Sequence, residues 1–135
     1  MVGRDAETEV KDLRAGLDPD LLARVDRILA QMAAEGHPMR ICSGLRTAAE
    51  QARLWAQGRT LPGRRVTYAD GIHKKSNHQS GRAVDCCFLG PEPFGEHHPW
   101  SRYGQLARLE GLTWGGDWRT PDRPHVELTL SADRV

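Results

Sequence analysis

The sequence predicts an α+β domain, a small antiparallel β-sheet with helices packed on one side, and three observations carry that expectation. The 135 residues suffice for one compact domain with its own core, and not for two ordinary ones. Helix-like and strand-like segments do not alternate in the rhythm of a parallel sheet. Several strand-like segments are short and have a single apolar face, as antiparallel strands with one solvated side do. One domain is therefore expected over residues 1–135, with 1–17 as a lead-in and 131–135 as a fraying tail.

The elements follow in order. Residues 4–16 are polar and weakly helical, with Ala6, Val10, Leu13 and Leu17 at helix-like spacing. The clearest helix comes next: Asp18 can cap it, and Pro19 suits its first position. Leu21, Leu22, Val25, Ile28, Leu29 and Met32 make one stripe, and Gly36 can end it. A strand fits 39–42. Thr47 and Glu50 then form a capping box for a second helix that Gly58 can stop. Residues 59–81 form a long connection rich in glycine and proline, a kind that is usually functional or disordered. A strand over 82–89 and a helix over 99–110 follow, the helix ended by Gly111. Short strands fit 112–115 and 125–130.

Nineteen basic and eighteen acidic residues leave a net charge of +1, which gives no support to a cationic nucleic-acid binder or a polyacidic tail. Nucleic acid is not an expected partner. No apolar run reaches the length of a membrane span, and Met1 to Asp5 lack the apolar core that opens a secretory signal. Three cysteines, two of them adjacent at Cys86 and Cys87, make a poor disulfide scaffold and read as free thiols.

Strand parity points to chemistry. In 83–88, Val84, Cys86 and Phe88 face one way, and Ala83, Asp85 and Cys87 the other. In the last strand Val126, Leu128 and Leu130 form the apolar face, which leaves His125 and Glu127 opposite. His78 lies seven residues before Asp85. His78, Asp85 and His125 can give zinc three protein ligands and leave a fourth position for water, as catalytic sites do. Asp122, three residues before His125 and stiffened by Pro124, can act as the base for that water. Arg46, at the end of another strand, can supply positive charge to a substrate carboxylate or a developing oxyanion. A plainer account is also open, with His78 a solvated loop residue and Asp85 the ion-pair partner of an arginine.

The run Ser76-Asn77-His78-Gln79-Ser80-Gly81-Arg82-Ala83-Val84-Asp85 fits the pattern SxHxxGxAxD, and Asp122 to His125 fits (D/E)xxH. Together they resemble the LAS metallopeptidases, named for lysostaphin, D-alanyl-D-alanine peptidases and hedgehog-type domains. Ser43-Gly44-Leu45-Arg46-Thr47, Gln57-Gly58-Arg59-Thr60 and Trp114-Gly115-Gly116-Asp117-Trp118 extend the likeness over about residues 18–130, and it is strongest to phage L-alanyl-D-glutamate endopeptidases. The resemblance implies the LAS/hedgehog-type fold, zinc on His78, Asp85 and His125, Asp122 as general base or acid, Arg46 at the substrate carbonyl or carboxylate, and Ser76 beside the metal site. Glu127 is placed to orient His125 through a hydrogen bond. Trp114 and Trp118 suit packing, with one of them able to wall a substrate groove. The run Gly71 to Lys75 and the pair Cys86-Cys87 depart from the pattern.

On this resemblance the chain is expected to be a zinc-dependent, endolysin-type peptidoglycan hydrolase cutting the L-alanyl-D-glutamate bond of the stem peptide. It is expected to act as a monomer, held in the cytoplasm until host lysis. Two alternatives remain: a D-alanyl-D-alanine carboxypeptidase or dipeptidase, and an inactive zinc-stabilised binding module.

Overall fold

The computed structural model describes residues 12–45, 48–57, 59, 78 and 80–129. Helix α1 (Pro19–Ala34) begins where Asp18 accepts hydrogen bonds from the N–H groups of Asp20 (2.8 Å) and Leu21 (3.3 Å). Leu21, Val25, Ile28 and Met32 recur every three or four residues and are all buried. At its end the His37 N–H returns to the Met32 carbonyl at 2.8 Å, which Gly36 permits by taking φ +88°. Helices α2 (Ala48–Ala56) and α3 (Trp100–Leu109) follow the first and second strands.

Strands β1 (Met39–Ser43), β2 (Ala83–Phe88), β3 (Thr113–Trp114) and β4 (His125–Glu127) form one sheet in the order β1-β2-β4-β3, antiparallel throughout. The core lies between this sheet and α1 and α3. Ile41, Val84, Cys86, Phe88 and Val126 meet Val25, Ile28, Met32, Tyr103 and Ala107 there. The antiparallel sheet with helices on one side is the architecture that the sequence predicts.

Three local expectations are corrected. Residues 13–16 form a turn and not the helical end expected there, because Gly16 takes a left-handed φ of +76° and returns the chain toward Leu17, which is buried. The last strand stops at Glu127: its partner β2 begins at Ala83, opposite Glu127, so the ladder runs out, although the Leu128 N–H still reaches the Arg82 carbonyl at 2.8 Å. The strand predicted over 112–115 is the two-residue β3, after which Gly115–Asp117 form a 3-10 turn. Thr47, Gly58, Leu130 and most of the 59–81 connection lie outside the described residues.

Candidate metal centre

Register builds the site. Asp85 on β2 pairs directly with His125 on β4, so their side chains share a face, the one turned away from α1 and α3. The chain enters β2 through His78, which is buried. His78 Nε2 lies 3.2 Å from His125 Nδ1, and each of these nitrogens lies 3.3 Å from Asp85 Oδ1. The three atoms form a nearly equilateral triangle.

The outer ring atoms fix which nitrogens carry lone pairs. His78 Nδ1 donates to the Gly44 carbonyl at 3.0 Å, and His125 Nε2 donates to Glu127 Oε1 at 2.6 Å. Both inner nitrogens are thereby left to accept a cation, the arrangement of a carboxylate–histidine–metal relay. Tetrahedral zinc with bonds of about 2.0–2.1 Å needs donors about 3.3 Å apart. The triangle has that size, so this donor set fits zinc, and among the described residues His78, Asp85 and His125 are the group that could hold a metal ion.

The electrostatics agree. Burial pushes the Asp85 carboxyl up, but His125 and His78, each with a ring nitrogen 3.3 Å from its Oδ1, outweigh that and hold it well below the usual carboxylate range. Burial pulls the His125 imidazole down, yet Asp85 and Glu127 on either side carry it up to about 9. Surroundings that favour a proton this strongly favour a metal cation as well.

Asp122 stands beside the triangle, its Oδ2 3.9 Å from His125 Nδ1 and its side chain 48% exposed. The segment that carries it is pinned at each peptide group. The Asp122 N–H donates to the Gly115 carbonyl (2.8 Å), Trp114 Nε1 donates to the Arg123 carbonyl (2.7 Å), and the Pro124 carbonyl accepts from Tyr103 Oη (2.7 Å) and the Cys86 N–H (3.0 Å). Gly115 cannot be larger, since a Cβ there would stand 2.3 Å from the Asp122 carbonyl oxygen and 3.0 Å from His125 Cβ.

The structure thus brings His78, Asp85, His125, Asp122 and Glu127 together. Trp114 is buried, with its ring against Gly104 and Gly116, and its indole N–H holds the Arg123 carbonyl. Arg46 and Ser76 lie outside the described residues. Burial pushes the Cys42 thiol far up, and it pushes Cys86 up to about 12. Such thiols are poor thiolate ligands. Sequence reasoning missed the Gly44 carbonyl that orients His78, the Tyr103 hydroxyl on Pro124 and the lock at Gly115. Only Tyr103 left a signal, since a tyrosine on a helix's apolar face needs a partner for its hydroxyl.

Comparison with known proteins decides the family. Two family profiles, both described as D-alanyl-D-alanine carboxypeptidase, match residues 14–96 and 69–128. The chain belongs to this LAS-type peptidase family. It is accordingly an enzyme of the metallopeptidase class. It is similar to the peptidoglycan L-alanyl-D-glutamate endopeptidase CwlK of Bacillus subtilis (strain 168), 34% identical over 124 residues, covering 83% of this chain and 73% of that protein. Among solved structures it resembles the L-Ala D-Glu endopeptidase ChiX of Serratia marcescens, with 27% identity and a TM-score of 0.57, covering 87% of this chain and 84% of that one. The vancomycin resistance D,D-pentapeptidase VanY, solved in complex with Zn(II), shares the fold at a TM-score of 0.61 and 17% identity, covering 82% of this chain and 71% of that one.

Proposed function

We propose that this LAS-type peptidase is a zinc-dependent peptidoglycan hydrolase that cuts the L-alanyl-D-glutamate bond of the stem peptide. The observation that carries the reading is the triangle of His78, Asp85 and His125 with Asp122 at its edge. The likeness to CwlK and ChiX supports the choice of bond. His78, Asp85 and His125 would hold the zinc, which would supply Lewis acidity for the scissile carbonyl and lower the pKa of a water to about 7.

The chain's own residues do the rest. Glu127 and the Gly44 carbonyl keep both imidazoles in the ligating tautomer. Asp122 is half-exposed and held by its backbone, so its carboxylate can take the proton of the attacking water and return it to the leaving amine. Arg46 is assigned to the carbonyl oxygen as negative charge develops, and Ser76 to support of the metal site, both from the sequence pattern. The same reading takes 1–135 as a single catalytic domain acting as a monomer, an endolysin of phage type that waits in the cytoplasm for lysis. No helix among the described residues is long and apolar enough to cross a membrane.

Removal of the terminal D-alanine is the second reading, favoured by the description of the matching family. Mass spectrometry of a defined pentapeptide muropeptide incubated with the zinc-loaded protein separates the two. Fragments ending at L-alanine, formed equally when the terminal carboxylate is blocked as an amide, are the expected result. Loss of D-alanine alone, abolished by the block, would replace the endopeptidase reading with the carboxypeptidase one, and an intact substrate beside bound zinc would leave a binding module.

A further inference from the structure

The two tryptophans of the Trp114 to Trp118 turn have opposite fates. Trp114 is buried and its indole N–H is satisfied. Trp118 stays 39% exposed, with its ring centroid 4.8 Å from that of His125 at an angle of 47°. Its indole N–H has no acceptor among the described residues. A large apolar side chain left in water beside a metal ligand gains nothing for the core, whose residues lie on the opposite face of the sheet.

The backbone under Trp118 is nevertheless held firmly. Its N–H donates to the Gly115 carbonyl at 3.2 Å, the same carbonyl that anchors Asp122. Asp117, one residue earlier, is clamped to Arg108 of α3 through two hydrogen bonds of 2.6 and 2.9 Å. One short turn therefore fixes both the general base and an exposed indole, and does so before any ligand arrives. A rigid aromatic plane presented at low entropic cost is what binds a flat, partly apolar group well.

We propose that Trp118 is a substrate-binding residue, the platform on which the planar peptide group and methyl side chain next to the scissile amide lie, with its indole N–H open to a substrate carbonyl. This rests on the peptidase reading given above and names its substrate contact. A structural part is the competing account, in which Trp118 only buttresses His125 and so sustains the metal site.

The test uses the zinc-loaded protein with Trp118→Phe and Trp118→Ala. Zinc content, kcat and KM are measured on the stem-peptide substrate, and the affinity of that peptide is measured by calorimetry in an Asp122→Asn background. The expected result is full zinc content, with KM and Kd raised about tenfold in Trp118→Ala and largely restored in Trp118→Phe. Unchanged KM and Kd, or loss of activity that follows loss of zinc, would overturn the platform and leave a buttress. Failure of the wild-type protein to cut the peptide would refute the peptidase reading itself, whereas Kd in the Asp122→Asn background still reports on Trp118.

Discussion

The two faces of β2 and β4 are made from alternate residues of the same strands, and they obey different rules. Toward α1 and α3 stand Val84, Cys86, Phe88 and Val126, all buried and all interchangeable in kind with other apolar residues of matching volume. On the opposite face stand Asp85, His125 and Glu127, each tied to a partner by position and chemistry together. A one-residue slip of β4 against β2 would carry His125 into the core and Val126 out of it. The packed face thus sets the register on which the metal face depends. Stability and chemistry sit on different atoms of the same backbone.

Substitutions can break this division in order of effect. Replacing His78 or His125 by Ala removes one of three ligands, and zinc and activity should both fall to background, read by metal analysis and peptide turnover. Asp122→Asn should keep stoichiometric zinc and lose roughly 10²- to 10⁴-fold in kcat, the usual worth of a positioned acid–base group. Gly115→Ala forces the Asp122 carbonyl away from a methyl group 2.3 Å distant. A displacement of that kind should cost about 10²-fold in kcat, checked on protein that still binds zinc. Glu127→Gln weakens the hold on His125 and should reduce metal affinity roughly 10- to 100-fold, measured by competition with a chelator.

The smallest effect on chemistry belongs to the other face. Ile28→Ala, at a position only 1% exposed, should lower stability by about 2–5 kcal/mol in denaturant titration. The specific activity of the folded fraction should stay as it was. A parallel loss of zinc affinity would show that the two faces are less separable than their parity suggests.

Much of this was legible in the sequence. Asp18, Pro19 and the stripe from Leu21 to Met32 define α1 by rules that act within one helix, and the alternation in Ala83–Phe88 assigns Asp85 to the outer face with no tertiary knowledge. Only the antiparallel pairing of β2 with β4 puts His125 opposite Asp85, a long-range fact that parity permits and cannot supply. Trp114 and Trp118 look alike in sequence. Their separation depends on Gly104, whose missing side chain admits the Trp114 ring, where a Cβ would stand 2.2 Å from it. The end of β4 was likewise set by the end of its partner and not by its own apolar residues.

X-ray absorption at the zinc edge of the metal-loaded protein tests the central claim most directly. The account predicts nitrogen and oxygen scatterers at about 2.0–2.2 Å, with the outer-shell pattern of two imidazoles. It also predicts that the imidazole pattern falls to one ring in any His125→Ala protein that retains metal. A sulfur scatterer at about 2.3 Å would contradict it, moving the metal from His78, Asp85 and His125 to the cysteine side of the same face.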